Sequence, residues 1–300
     1  MNQLVVETRK RVTVSVVVKN GEKTIGETIR SIIEQTYPHE LLTVIVVDGM
    51  SSDGTLSILN KMLSKNDIET KILSDKGKGL GAARQIVIDN ARSEYLVWVD
   101  ADVVIPSDYV VDLVEFIEQD PHLGGARATR AILHPQCLTA KLQELSLLIR
   151  QTPGNAWDHL GILRMSAIRE VGGYDTEIRG AAEDLDLIAR IRKAGWLFSV
   201  GDATYYHTAG SWNEILHNRA RAGYGIHYFR HKHEGIIRLW DRAPPIEFIV
   251  GLKEAAVAYK LTRRKVSFLL PVYYFLMCIP WWVGYIRGML DRYEYNEKHE

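Results

Sequence analysis

The sequence predicts an α/β protein with a mainly parallel sheet flanked by helices, followed by a C-terminal helical region. In the first half of the chain, short runs rich in β-branched residues alternate with segments whose apolar residues recur at helical spacing. Aspartates directly follow two of these apolar runs, as Asp48 and as the pair Asp100 and Asp102. Near the end of the chain, residues 266–286 form a stretch of 21 residues without a charge.

The elements of the first half are expected in regular alternation. Strands are predicted at residues 12–18, 42–47, 71–73 and 95–99, and helices at about 25–33, 55–63 and 80–90. Such alternation implies right-handed crossovers and a parallel sheet. Ligands of parallel sheets bind at the carboxyl ends of the strands, so Asp48, Asp100 and Asp102 are expected to share one crevice.

The second half of the chain is less regular. An apolar helix is predicted at residues 138–149, and an amphipathic helix at 183–195 ends at Gly195. Beyond Gly210 the sequence becomes helical, aromatic and basic. We therefore predict a first domain at residues 1–210 and a C-terminal helical region at 211–300.

Composition narrows the class of protein. The chain is 46% hydrophobic and 25% charged, as in globular proteins, and its 37 basic residues balance 37 acidic ones. Because these charges balance, the chain has no net positive charge that would attract nucleic acid, and we do not expect nucleic acid as a partner. Two distant cysteines, Cys137 and Cys278, favour a reducing compartment. The charged N-terminal segment does not resemble a secretion signal.

The uncharged C-terminal stretch is long enough to cross a bilayer core of roughly 30 Å. Pro271 and Pro280 lie inside it and are expected to kink or break a helix. The basic residues 263–265 precede it, as on the cytoplasmic flank of a membrane segment. These features favour membrane association. The alternatives are a buried helical hairpin or the interface of a homo-oligomer.

Four fragments of the chain together resemble family 2 of the inverting glycosyltransferases, which have the Rossmann-like GT-A fold. They are VSVVVKNGEKTIGETIRSIIEQTY, VIVVDGMSSDGT, GAARQIVIDNARSEYLVWVDADV and EVGGYDTEIRGAAEDLDLIARIRKAGW, in this order. The resemblance covers roughly residues 10 to 210. It implies the transfer of a sugar from a nucleotide-sugar donor and leaves the sugar and the acceptor open.

The resemblance implies roles for the donor site. Asp48 matches the aspartate that hydrogen-bonds the base, and a UDP-sugar is favoured although the usual Asp-Asp-Gly-Ser reads Asp-Gly-Met-Ser here. Val18 and Glu22 flank the nucleoside, and Arg84 approaches the donor diphosphate. Asp100 lies near the ribose as the first residue of an Asp-x-Asp motif.

Metal binding is expected at the second aspartate of that motif, Asp102. A hard cation, Mg²⁺ or Mn²⁺, would stabilise the charge of the leaving diphosphate and takes one or two protein carboxylates. The resemblance suggests His207 as a further metal ligand or diphosphate contact. Asp53, in SSDGT, is assigned to the turn and the following helix cap and is left outside the site.

The candidate general base is Asp184. An inverting transfer needs a carboxylate that accepts the proton of the attacking hydroxyl, and Glu183-Asp184 fall where the family keeps its Glu-Asp pair. Glu183 is assigned to substrate binding, and the pair could also serve simply as partners of the helix dipole. Asp186 is predicted to be a solvated helix residue.

Arg219 and Arg221 are candidates to bind the pyrophosphate or an anionic acceptor, because guanidinium groups suit phosphate. As an alternative they are cations on a surface helix. The Gln-x-x-Arg-Trp motif of processive family members is absent from the sequence, which disfavours a polymer-extruding synthase. The segment HYFRHKH, with His227, His231 and His233, favours a membrane-surface helix over a metal site.

The sequence thus predicts a metal-dependent inverting glycosyltransferase at the cytoplasmic face of the membrane. A base such as Asp184 favours a hydroxyl acceptor, since a phosphate acceptor is already ionised, and the C-terminal stretch favours a lipid or a lipid-linked saccharide. The alternatives are a dolichyl- or polyprenyl-phosphate glycosyltransferase and a nucleotide-sugar-binding protein without transfer activity. A nucleotidyltransferase is disfavoured, because VVVKNGEKTI is not a Gly- and Arg-rich phosphate loop.

Overall fold

An eight-stranded mixed sheet forms the centre of the protein, in the order β3-β2-β1-β4-β7-β6-β8-β5. The computed structural model describes residues 10–150, 161–178, 180–208 and 211–293. The strands are β1 Val12–Val18, β2 Leu42–Asp48, β3 Glu69–Ser74, β4 Tyr95–Trp98, β5 Val103–Val104, β6 Leu123–Leu133, β7 Gly161–Arg164 and β8 Leu197–Thr208.

Ten helices accompany the sheet within the described residues. They are α1 Ile25–Ile33, α2 Thr55–Leu63, α3 Leu80–Asn90, α4 Tyr109–Glu118, α5 Leu138–Arg150, α6 Met165–Glu170, α7 Glu183–Lys193, α8 Trp212–Lys232, α9 Pro244–Thr262 and α10 Leu270–Leu290. A 3₁₀ turn, Lys265–Leu269, joins α9 to α10. The predicted helices at 55–63 and 80–90 are confirmed, and the predicted strand at 71–73 is longer than expected.

The first half of the sheet is parallel, as predicted. Strand β1 pairs in parallel with β2 and β4, and β2 pairs with β3. The valines and isoleucines of β1 and β2 other than Val17 are almost completely buried, because helices cover both faces of a parallel sheet. The register places Val18 beside Asp48 and Asp48 beside Ser74, so three strand ends lie together.

The second half of the sheet turns antiparallel. Strand β7 pairs antiparallel with β4 and β6, and β8 runs parallel to β6 and antiparallel to the short β5. The β5–β8 pairing sets Val103 opposite His207, directly after the Asp-x-Asp motif. The sheet is therefore mixed rather than uniformly parallel, and this pairing brings a distant part of the chain to the first crevice.

The three long C-terminal helices pack together and against the sheet domain. Helices α8 and α10 approach at glycines: a Cβ on Gly223 would lie 1.9 Å from the Trp281 carbonyl oxygen, and one on Gly284 would lie 1.9 Å from that of Ala220. Pro271 lies in the first turn of α10, where proline is tolerated, and the helix continues through Pro280. The predicted boundary after Gly210 stays a prediction; Gly210 itself lies outside the described residues.

Candidate active site

The crevice at the carboxyl end of the parallel strands begins with Asp48. Its side chain is 3% exposed, and its Oδ2 accepts a hydrogen bond from the Ser51 backbone N–H at 3.1 Å. The other oxygen, Oδ1, is buried and accepts no hydrogen bond from the described residues. A buried carboxylate oxygen without a donor is unfavourable unless a ligand supplies one. The arrangement fits the predicted contact with an N–H of a nucleobase.

Two loops border this end of the crevice and are joined by hydrogen bonds. The Glu22 carboxylate accepts from the Gly54 N–H at 3.1 Å, and the Glu22 N–H donates to Asp53 at 3.1 Å. Asp53 also accepts from the Thr55 backbone N–H and hydroxyl, and these bonds lower its pKa. Asp53 thus has the turn role predicted for it. Glu22 is bonded to the same turn, and Val18, at the end of β1, is buried.

Asp102 and His207 face each other across the β5–β8 pairing. The distance between Asp102 Oδ2 and His207 Nε2 is 3.2 Å. Partial removal from water raises the pKa of Asp102; His207 opposes this rise, and Asp100 adds to it. On its other side, His207 Nδ1 lies 2.6 Å from the Thr208 carbonyl oxygen.

The arrangement of Asp102 and His207 is suited to binding a metal ion. A carbonyl oxygen only accepts, so Nδ1 of His207 carries the proton of that bond. In a neutral imidazole, Nε2 then directs a lone pair at the Asp102 carboxylate, and a cation held by both groups would relieve the repulsion. Metal-binding histidines commonly donate their other N–H to a carbonyl in this way. The described residues contain no cluster of three or more His, Cys, Asp or Glu side chains in metal-binding spacing, so a cation here would take its remaining ligands from substrate oxygens or water.

Arg84, on α3, lies beneath the crevice. Its side chain is 5% exposed, with Nε 3.0 Å from Glu183 Oε1 and one terminal nitrogen 4.0 Å from Asp100 Oδ1. The guanidinium also stacks on Trp98, 4.7 Å from the ring centroid, and lies 5.8 Å from the Tyr174 ring. Burial alone lowers the pKa of Arg84, but the negative charge of Glu183 and its neighbours outweighs it and raises the pKa.

The Arg84 cluster was not foreseen in this form. The sequence assigned Arg84 to the diphosphate, and that contact stays a prediction, whereas the structure shows it paired with Glu183. The aromatic partners, Trp98 and Tyr174, were not singled out. Trp98 stands two residues before the Asp-x-Asp motif and Tyr174 lies in GGYD, so proximity to the motifs was the available signal.

The N-terminus of α7 carries both candidate acids. Ala182 precedes the helix in a left-handed conformation, with φ of 87°, which turns the chain into the first turn. Glu183 is 3% exposed and directed at Arg84, whereas the side chain of Asp184 is partly exposed. Of the two carboxylates, Asp184 is therefore the one open to an acceptor.

Asp186 is completely buried, so the prediction of a solvated residue was wrong. Its Oδ2 accepts from Arg190 at 2.6 and 2.9 Å, and its Oδ1 accepts from His233 and Lys232, each at 2.8 Å. Burial tends to raise the pKa of Asp186, but the His233 hydrogen bond and the charges of Arg190 and Lys232 outweigh it and hold the pKa well below its usual range. The network ties α7 to the end of α8.

Helix α8 is not a surface helix over its C-terminal half, contrary to the prediction for HYFRHKH. His227 is 3% exposed and packs on Tyr285 of α10, with ring centroids 5.1 Å apart. Arg221 donates to the Gly180 carbonyl at 3.2 Å, in the loop that leads to Glu183. Arg219 is exposed on the same helix. Contact of these two arginines with pyrophosphate stays a prediction.

Known proteins resemble this chain in sequence. Residues 13–135 match the model of Glycosyl transferase family 2. The poly(ribitol-phosphate) β-N-acetylglucosaminyltransferase TarS of Staphylococcus aureus is 32% identical over 100 residues, which are 33% of this chain and 18% of TarS. The probable glycosyltransferase YdaM of Bacillus subtilis is 24% identical over 282 residues, 88% of this chain and 62% of YdaM. The chain thus spans less than two thirds of the length of these relatives.

Solved structures extend the likeness to the fold. The mannosyltransferase PcManGT of Pyrobaculum calidifontis, in complex with GDP-Man and Mn²⁺, superposes with a TM-score of 0.67 at 19% identity, over 95% of this chain and 89% of that one. Residues 1–349 of S. aureus TarS with UDP-GlcNAc give a TM-score of 0.54 at 18% identity, over 90% and 82%. Residues 13–135 are thus similar to glycosyl transferase family 2, and the chain shares the GT-A fold of these solved structures.

Proposed function

We propose that this protein transfers a sugar from a nucleotide-sugar donor, a UDP-sugar in the first instance, to a hydroxyl group, with inversion at the anomeric carbon. The observation that carries the proposal is the shared crevice. Asp48 ends β2, and Asp100 and Asp102 follow β4; both strands pair with β1. Arg84 links Asp100 to Glu183, next to Asp184. A donor site and a candidate base thus face the same space.

On the donor side, Asp48 binds the base through its buried Oδ1, beside Val18 at the end of β1. Asp100 lies next in the crevice, where it contacts the ribose. The relatives support this assignment by their ligands, since TarS has been solved with UDP-GlcNAc and PcManGT with GDP-Man. UDP is favoured because TarS, which has been solved with UDP-GlcNAc, is 32% identical to this chain over 100 residues.

Asp102 and His207 would hold a divalent cation, Mg²⁺ or Mn²⁺, which would neutralise charge on the leaving diphosphate. The residues present fit such an ion, because His207 donates its Nδ1–H to the Thr208 carbonyl oxygen and directs its Nε2 at the Asp102 carboxylate. Mn²⁺ in the PcManGT structure supports the same expectation. Arg219 and Arg221 are placed at the pyrophosphate in this proposal.

On the acceptor side, Asp184 takes the proton of the attacking hydroxyl. Glu183 is less suited to this role, because it is buried and paired with Arg84. Arg84 places a positive charge near both acids. Attack on the face opposite the leaving diphosphate inverts the anomeric carbon in one displacement.

The acceptor is proposed to be a lipid or a lipid-linked saccharide at the cytoplasmic face of the membrane, where nucleotide sugars are found. The C-terminal helices supply the apolar surface for this location. The hydroxyl acceptor is preferred over a polyprenyl phosphate because the latter needs no base. The lack of Gln-x-x-Arg-Trp favours single additions over polymer extrusion.

The proposal is tested by incubating the full chain and a membrane lipid extract with UDP- and GDP-sugars, with Mn²⁺, Mg²⁺ or chelator. We expect mass spectrometry to detect a lipid product one sugar heavier, metal dependence and an inverted anomeric configuration by NMR. A product retaining the donor configuration would contradict the mechanism. Binding without transfer or hydrolysis would favour the binding-protein alternative, and products on polyprenyl phosphate alone would favour the phosphate acceptor.

A further inference from the structure

The outer surfaces of α9 and α10 expose a continuous set of large apolar side chains. Phe248, Ile249 and Leu252 on α9 are 38–52% exposed. On α10 the exposed fractions run from 39% to 59% at Val272, Phe275, Leu276, Ile279, Val283 and Ile286. The two helix faces meet at an open groove lined by Pro245, Phe248, Ile249 and Phe275. Soluble monomers rarely expose apolar patches of this extent.

The opposite side of α10 is fully occupied by protein. Tyr273, Tyr274, Met277, Trp281 and Tyr285 are at most 7% exposed and form a stripe along the helix. Helix α10 is therefore apolar on all sides, but protein covers one side and leaves the other bare.

Polar bonds hold that inner side in place. The Tyr274 hydroxyl donates to Glu254 at 2.5 Å, and Arg150 of α5 pairs with the same carboxylate at 3.0 Å. Arg230 of α8 donates to the Tyr285 hydroxyl at 2.5 Å. Detaching α10 would break these bonds and uncover the stripe.

The exposed charges within residues 244–290 have one sign, and two of these cations pair with acids outside that range, Arg264 with Glu144 and Arg287 with Asp291. Residues 244–290, all of them described, contain two acids, Glu247 and Glu254, whose side chains are 8% and 16% exposed and paired with arginines. Six basic residues in the same range are exposed: Lys253, Lys260, Arg263, Arg264, Lys265 and Arg287. Such a surface is complementary to an anionic lipid leaflet. A second copy of the chain would bring these cations together without exposed acids from this range to pair them.

We propose that α9 and α10 lie flat in one anionic leaflet, with their outer face in the acyl region, and that α10 does not cross the bilayer. Residues Lys265–Leu290 are long and apolar enough to span, with a mean hydropathy of 1.7. Crossing, however, would either strip α10 from its partners or draw α8, with Arg219, Arg221 and Arg230, into hydrocarbon, where arginine is strongly disfavoured. The inference rests on the proposed membrane location and adds its geometry.

The first experiment measures sedimentation of the full chain with vesicles of phosphatidylcholine alone or mixed equally with phosphatidylglycerol. The double variant Ile279→Glu, Val283→Glu should lose vesicle binding, while the matched variant Leu56→Glu, Leu197→Glu, on exposed leucines of the sheet domain, should bind normally. Changing Lys253, Lys260 and Lys265 to Gln should reduce binding to the mixed vesicles by about 100-fold, and changing Lys61, Lys65 and Lys193 to Gln should not. Equal binding by all variants would overturn the proposal.

The second experiment determines topology in inside-out membrane vesicles from cells that express the full chain. Cys137→Ser removes the exposed native thiol, and Cys278 is buried. Lys265→Cys, in the 3₁₀ turn before α10, and Asp291→Cys, directly after α10, should both react with a membrane-impermeant maleimide. Labelling at one end alone would mean that α10 spans the bilayer and would overturn the flat arrangement.

The remaining outcomes are also distinguishable. A soluble dimer that is lost in the Ile279→Glu, Val283→Glu variant would assign the face to a second copy and overturn the proposal. Calorimetric titration of UDP and Mn²⁺ into the same variant reports on the donor site, which lies on the sheet. Retained nucleotide affinity with lost vesicle binding supports the membrane face, and nucleotide affinity absent from the unaltered protein would instead contradict the proposed function.

Discussion

At the scale of single residues, Asp102 and His207 form the contact on which the proposed metal dependence rests. We predict that Asp102→Ala removes stimulation by Mn²⁺ and nearly all transfer, while the circular dichroism spectrum and the unfolding midpoint stay near those of the unaltered protein. The reason is that Asp102 is at the rim of the crevice and its loss leaves one imidazole to hold the ion. Transfer assays across a Mn²⁺ titration measure the effect.

Asp108→Ala is the matched control for that prediction, because Asp108 is an exposed aspartate six residues further on without a side-chain cap bond. It should keep both activity and metal response. Full, Mn²⁺-stimulated activity in Asp102→Ala would remove the Asp-x-Asp motif from the mechanism.

Asp48 is expected to affect the affinity for the nucleotide. We predict that Asp48→Ala weakens UDP binding by about 10- to 100-fold, the usual range for a hydrogen bond to a charged group. Turnover at saturating donor should change much less, since the nucleobase of the donor lies far from the anomeric carbon that reacts. Isothermal titration with UDP and Mn²⁺ measures the affinity. An unchanged affinity would show that the buried Oδ1 of Asp48 does not contact the nucleobase.

At the scale of elements, the Arg84–Glu183 pair joins α3 to α7 below the crevice. Both side chains are nearly inaccessible, at 5% and 3% exposed. Removing one partner of such a pair leaves an uncompensated buried charge, so Arg84→Met should lower the free energy of unfolding by about 3–5 kcal/mol. Urea denaturation measures this change.

The double variant Arg84→Met, Glu183→Leu should recover much of that loss, because neither charge then remains. The exposed pair Arg264–Glu144 is the control: Arg264→Met should cost at most about 1 kcal/mol. A cost for Arg84→Met as small as that of the control would contradict the buried ion pair.

Asp186 makes the α7–α8 junction sensitive to acid. Its pKa in the folded protein is below the ordinary aspartate value of about 3.9, so its ionised form stabilises the fold above that pH. This stability is lost as the pH falls below about 4 towards the lower folded-state value. The free energy of unfolding should therefore decrease between pH 5 and pH 3, and Asp186→Asn should flatten that decrease. A slope as steep in Asp186→Asn as in Asp108→Asn would contradict the assignment.

At the scale of the whole molecule, the parallel half of the sheet was predictable from sequence and the packing of the last helices was not. The strands β1 and β2 are rich in valine and isoleucine. The geometry of parallel sheets places Asp48, at the end of β2, and Asp100, after β4, at one edge of the sheet. The GT-A fold expected from the fragments is confirmed. His207 could be placed beside Asp102 by resemblance, but its distance depends on the antiparallel β5–β8 register.

The burial of Asp186 and of α8 depends on residues far apart in sequence. Asp186 looks solvated because it lies in an acidic first turn, and its partners Lys232 and His233 follow 46 and 47 residues later. Helix α8 is buried because Gly223 and Gly284 let α10 approach, a relation that neither segment shows alone. The charges and the spacing of apolar residues within one helix cannot predict contacts with a distant segment of the chain.

The central claim for the whole molecule is that a donor bound along Asp48, Asp100 and Asp102 is attacked by a hydroxyl whose proton passes to Asp184. The most direct measurement is the rate of sugar transfer by Asp184→Asn, with donor and Mn²⁺ bound beforehand, beside the donor affinity of the same variant. We predict a rate lower by about two to four orders of magnitude and an unchanged affinity. A normal rate, or a loss confined to donor affinity, would contradict the claim.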